Sequence, residues 1–154
     1  RQKPDCRKSG RNSKQIPYFH EVLRMDLLPC PFCSPARKDI VFENSLLYGR
    51  WDSFPVTRGH LLVIQFRHCT GYFDTTAEEQ ASLAEMLFSC RKILDAEFSP
   101  AGYNIVINIG VVADQRVMHC HVHVMPRYSD PANNPPWGIQ GIIFGEAERE
   151  APKQ

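Results

Sequence analysis

Apolar residues recur at three- and four-residue steps through Leu83, Met86, Leu87, Cys90, Ile93, Leu94 and Phe98, which predicts one amphipathic helix over residues 77–98. Thr76 with Glu79 forms a capping box at its start, and Glu78 adds a carboxylate at the positive end of the helix dipole. Pro100 and Gly102 close it. The stripe reads as core, so Met86 and Phe88 are packing residues rather than the lining of a cofactor pocket. Elsewhere the chain follows a two-residue period. Strands are predicted over 40–43 and 45–52, with Asn44 as the turn between them. The apolar run over 60–67 suits a buried central strand. Residues 103–109 alternate Tyr103, Ile105, Ile107 and Ile109 against Asn104, Val106 and Asn108, and a last strand covers 117–127. Short links between strands and one long helix predict an α+β domain, a mainly antiparallel sheet with the helix packed on it.

Two segments break the periodicity. A short helix is expected over 18–28, followed by a stretch over 28–35 whose three prolines forbid helix, so that Cys30-Pro31-Phe32-Cys33 reads as a tight knuckle. From Ser129 onward the chain is loop-like, through Pro131, Pro135 and Pro136 to Trp137.

Composition narrows the class. A length of 154 residues and a net charge of +1 suit a single domain with its own core and give no overall polyanion-binding character. Residues 1–15 are the exception. Arg1, Lys3, Arg7, Lys8, Arg11 and Lys14 stand against Asp5, a net of +5 that leaves −4 for the rest. Residues 1–17 therefore read as a basic flexible arm, a solvated tail or a contact for phosphates, and residues 18–154 as the domain. Nucleic acid is not the partner this charge balance indicates. No apolar run reaches membrane-spanning length, and residues 1–14 lack the apolar centre of a secretory signal. The six cysteines are not placed as a disulfide framework: Cys69, Cys90 and Cys120 fall within apparent strands or helix, and Cys30 and Cys33 form a close pair. A reduced, cytoplasmic setting is expected, with the pair holding a metal; a redox pair is the alternative.

The candidate chemistry lies in His119-Cys120-His121-Val122-His123. In a regular strand all three imidazoles point to one face, about 7 Å apart, while Val122 and Val124 face the other way. Imidazole can be base, acid, nucleophile or metal ligand near neutral pH. The same alternation is also that of the polar side of an ordinary strand.

With its flanks this segment resembles the signature of the histidine triad hydrolases and nucleotidyl transferases: Asn108-Ile109-Gly110, then Gln115, Val117, His119, His121, His123 and Pro126-Arg127. Asp52, Gly59-His60-Leu61-Leu62-Val63-Ile64 and Arg67-His68 resemble the family's second signature, and the cysteine pair is similar to the opening of its zinc-bearing bacterial members. The resemblance implies that His121 attacks the α-phosphorus of a nucleoside phosphate derivative, giving a nucleotidyl-histidine that water hydrolyses. Dinucleoside polyphosphates and nucleoside phosphoramidates are the implied substrates. His123 and Gln115 are the implied donors to the phosphoryl oxygens. Asp52 would accept from ribose hydroxyls, with Ser53, His60, Asn108 and Arg116 as further substrate contacts. Cys30, Cys33, His68 and His119 would hold one structural zinc with no open coordination position. A homodimer is implied as well. Alternatives are a phosphorylase or nucleotidylyltransferase, with phosphate or a sugar phosphate in place of water, and a catalytically weak nucleotide-binding module. The sequence departs from the family's pattern at Asp114, where glycine is usual, and at Arg116, where a small hydroxyl residue is usual. Arg116 is expected to contact phosphate and Asp114 to point to solvent.

Overall fold

The helix is bounded as its sequence signals require. In the computed structural model, which describes residues 30–130, α1 spans Ala77–Phe98. The Thr76 hydroxyl accepts from the Glu79 backbone N–H at 3.2 Å and the Glu79 carboxylate accepts from Thr76 N–H at 2.8 Å, so two free N–H groups of the first turn are satisfied. Glu79 also takes both nitrogens of the Arg67 fork, at 2.8 and 2.7 Å, and is thereby buried. At the other end Ser99, rather than a glycine, turns into the left-handed region (φ 47°) and stops the helix before Pro100.

Among the described residues, five antiparallel strands make one sheet: β1 (Phe42–Glu43), β2 (Leu47–Trp51), β3 (Leu61–Gln65), β4 (Gly102–Val106) and β5 (His121–Arg127), in the order β1-β2-β3-β5-β4. The strands are shorter than their alternation predicts. Asn44 makes the expected turn, its side-chain oxygen accepting from the N–H groups of Leu46 and Leu47 at 2.9 Å each. Beside it, Gly49 lies under the ring of Phe42, where an added Cβ would sit 2.1 Å from a ring carbon.

The helix covers one face. Leu83, Met86, Cys90 and Leu94 pack on Leu47, Leu61, Val63, Val122 and Val124. Leu94 is wholly buried, and truncating such a residue to alanine costs about 2–5 kcal/mol. Phe32 packs with Tyr48, Leu62 and Ile64 in a second cluster, anchored where the Tyr48 hydroxyl donates to the Phe32 carbonyl at 2.8 Å. The register pairs Ile64 with His121 and Leu62 with His123, which puts both histidines on the face opposite α1. The arm over 1–17, the helix expected over 18–28, His20 and the loop with Trp137 lie outside the described residues.

Candidate active site and metal centre

The last strand begins two residues later than the pattern of three imidazoles suggests. Residues 117–119 form a bend, not a strand, and His119 leaves the row. Two groups cause this. The N–H of His119 turns back to the Val117 carbonyl at 2.8 Å, and the N–H of Cys120 donates to the Cys69 carbonyl at 2.6 Å, tying the bend to the segment after β3. The preceding loop turns at Gly110 (φ 84°) and Asp114 (φ 61°) and closes on the amide of Gln115. That amide accepts from Gly110 N–H at 2.7 Å and donates to the carbonyls of Thr70 at 2.7 Å and Val117 at 3.2 Å. Both of its N–H bonds are used, so here Gln115 braces the loop and keeps no donor for a phosphate.

His119 is fully buried, and its Nε2 donates to the Gln65 carbonyl at 2.8 Å. A carbonyl has no proton to give, so the Nδ1 of a neutral ring must carry the lone pair. That atom lies 3.4 Å from Cys30 Sγ and 3.6 Å from Cys33 Sγ, and Cys33 Sγ lies 3.2 Å from His68 Nδ1. Tetrahedral zinc with ordinary Zn–S and Zn–N bonds sets sulfur and nitrogen about 3.6 Å apart. The ligand atoms of Cys30, Cys33, His68 and His119 all lie within 4.8 Å of one another, so this group fits a zinc ion. The Gln65 carbonyl supplies the outer partner that orients a ligating imidazole. The knuckle also carries Phe32, which meets the rings of His119 and His121 edge-on at 6.0 and 5.2 Å and joins the two halves of the site. The only sign of it in the sequence was an apolar residue held between two cysteines.

His121 opens β5 with Nδ1 2.7 Å from the carbonyl of His119, and its ring is buried. Burial holds its pKa below the usual histidine value. The ring of His123 is 5.0 Å away, and burial, reinforced by the neighbouring His121 and His60, brings its pKa down to about 4. His60 lies beyond, wholly inside, with Nε2 3.0 Å from His123 Nδ1 and with Nδ1 receiving the Val56 N–H at 3.2 Å. Asp52 completes the group: one carboxylate oxygen takes the Phe54 N–H at 2.8 Å, and the other lies 3.5 Å from His60 Nδ1 and 3.7 Å from His123 Nδ1.

The structure thus gathers Asp52, His60, His121 and His123 around one point, beside the cysteine and histidine group. It does not gather every expected contact. Ser53 accepts a long bond from Arg50 at 3.3 Å, and Asn108 donates to the Asp114 carbonyl at 3.4 Å. Arg116 pairs with Asp114 at 3.2 Å, both largely exposed. The Asp114 carboxylate is exposed and paired with Arg116, and its charge acts on His123.

The family model described as "HIT domain" matches residues 34–130, more than half of the chain. An uncharacterized 16.1 kDa HIT-like protein of Mycoplasma pneumoniae is 35% identical over 103 residues, covering 64% of this chain and 72% of that protein. Adenosine 5'-monophosphoramidase hnt1 of Schizosaccharomyces pombe is 32% identical over 104 residues, covering 65% of this chain and 75% of that enzyme. Among solved structures, a zinc-bound histidine triad family protein of Mycobacterium smegmatis is similar with a TM-score of 0.60 at 33% identity, over 68% of this chain and 78% of that one.

Proposed function

The chain belongs to the histidine triad family, and from that premise we propose that it is a nucleotide hydrolase acting at the α-phosphate of nucleoside phosphate derivatives. The carrying observation is the bond from His121 Nδ1 to the His119 carbonyl. With its proton held there, a neutral His121 presents the Nε2 lone pair as nucleophile.

Nε2 of His121 attacks phosphorus, the phosphorus–leaving-group bond breaks, and the leaving group departs with the electron pair and takes a proton from solvent, which the water of the second step returns. Water then attacks the phosphorus of the nucleotidyl-histidine, and nucleoside monophosphate leaves with His121 restored to its neutral form. His123 stands beside it to meet charge on the phosphoryl oxygens. Among the described residues one Asp52 carboxylate oxygen has no close hydrogen bond, which suits it to ribose hydroxyls. Zinc at Cys30, Cys33, His68 and His119 supplies structure: it would fasten His119, whose carbonyl holds His121. Thiolate ligands need a reducing compartment, which favours the cytoplasm.

Charge favours phosphoramidates over dinucleoside polyphosphates. Among the described residues, the charged groups besides histidines that act on His121 and His123 are the carboxylates of Asp52 and Asp114. The cation of the preceding loop, Arg116, is paired with Asp114. A substrate with one charged phosphate and an amine leaving group meets less repulsion than a polyphosphate. Incubation with adenosine 5'-phosphoramidate should release adenosine monophosphate through a covalent intermediate trapped on His121. Release without any adduct, or none from either substrate class, would count against the reading.

A further inference from the structure

We propose that His60 is a positioning residue whose Nε2–H fixes the proton of His123 on Nε2, the nitrogen away from His60. The fixed end of this relay is a backbone amide. The Val56 N–H always carries its proton and points at His60 Nδ1 from 3.2 Å, so that nitrogen is the acceptor. A neutral imidazole has one proton, and on His60 it must then sit on Nε2. Among the described residues, the only partner of that N–H is His123 Nδ1, at 3.0 Å. His123 Nδ1 is thereby the acceptor, and its own proton goes to Nε2.

The opposite assignment would put a proton on His60 Nδ1, directed at Asp52. It would set that proton against the Val56 N–H, and the Asp52 oxygen at 3.5 Å does not meet hydrogen-bond geometry with the ring. Burial keeps both rings neutral, which the one-proton count requires. The frame is also fixed. The N–H of His60 closes a turn on the Thr57 carbonyl at 3.1 Å, and the Thr57 hydroxyl donates to the Pro126 carbonyl at 2.8 Å, tying the turn to β5. Among the described residues His123 Nε2 has no hydrogen-bond partner, so its N–H is the one left to meet a substrate oxygen. His60, expected from the family signature to touch substrate, instead acts through His123. The kinetic consequence rests on the hydrolase reading above; the tautomer does not.

The test is a long-range proton–nitrogen correlation spectrum of the zinc-loaded, nitrogen-15-labelled protein near pH 7.5, in which the two tautomers have different ring patterns. His123 and His60 should both show the Nε2–H pattern, and His121 the Nδ1–H pattern. In His60→Leu, which removes the donor, His123 should become a mixture of tautomers. Turnover of adenosine phosphoramidate should then fall about tenfold or more in kcat, with KM moving far less. His60→Gln keeps an N–H donor and should restore a single His123 pattern and most of kcat. A proton on His123 Nδ1 in the unsubstituted protein overturns the proposal, and that spectrum decides even if His60→Leu does not fold. A single unchanged His123 pattern in a folded His60→Leu overturns it as well. Absence of turnover with the expected spectrum would defeat the hydrolase reading alone.

Discussion

The Nδ1 of His121 donates to the carbonyl oxygen of His119 across 2.7 Å, so a proposed metal ligand holds the proposed nucleophile through its own backbone. The same residue faces two ways: its ring nitrogen turns to the cysteines and its carbonyl to the neighbouring ring. Fastening the ring of His119 to zinc would therefore set the direction of His121, with no acidic residue between them.

His121→Ala should lower turnover by about four orders of magnitude or more while nucleoside monophosphate binding changes only a few-fold. Steady-state kinetics with a parallel binding titration check this. Activity within tenfold of the unsubstituted protein would mean that another group attacks phosphorus.

The purified chain should carry about one zinc. Cys33→Ser should lose most of it, because oxygen is a poor substitute for thiolate at such a site. Chelation should lower the melting temperature and slow turnover together, through the link from His119 to His121. Elemental analysis and thermal melts decide it; a Cys30–Cys33 disulfide in the metal-free protein would argue for the redox alternative.

Arg116→Ser removes the cation paired with Asp114 at 3.2 Å. Binding of dinucleoside polyphosphates should weaken several-fold, binding of monophosphates less, and the gap should close in high salt. Equal losses at all salt concentrations would assign Arg116 to loop structure alone.

Acid should destabilise the fold in two windows. The pKa of His123 is lowered from 6.5 to about 4, so its contribution is complete above about 6.5 and is lost as pH falls towards 4. His60 shifts in the same direction. Glu79 is lowered from 4.5 to about 2 by the Arg67 hydrogen bonds, so its contribution is lost between those values. Urea midpoints should fall from pH 7 to 5, with a smaller fall in His123→Gln. Glu79→Gln should cost about 1–3 kcal/mol at pH 7 and lessen the second decline.

Periodicity and capping placed α1 to the residue, because a helix is built from contacts three and four positions apart that the sequence carries itself. The α+β class, the antiparallel sheet and the Asn44 turn were legible for the same reason. Strand ends were not. Residues 107–109 and 117–119 alternate as strand should, yet leave the sheet where Gly110 turns and the Gln115 amide takes up local backbone groups. Gln115 looked like a phosphate donor because residue type tells what a side chain can bond, not which partners reach it first.

Spacing, residue type and family resemblance marked the candidate residues in the sequence: three alternating histidines, a cysteine pair with zinc spacing, Asp52 and His60. The folded chain set which of them meet. His119 left the row for the cysteines, Phe32 came between the two groups, and His60 met His123 instead of open space. The two histidine outcomes each turn on a hydrogen bond to a backbone group: the Gln65 carbonyl for His119, the Val56 N–H for His60. Backbone carbonyls and amides are the same at every residue, so a sequence contains no mark of which one a ring will meet. Only the folded chain brings them within 3 Å or so, and that contact places the proton.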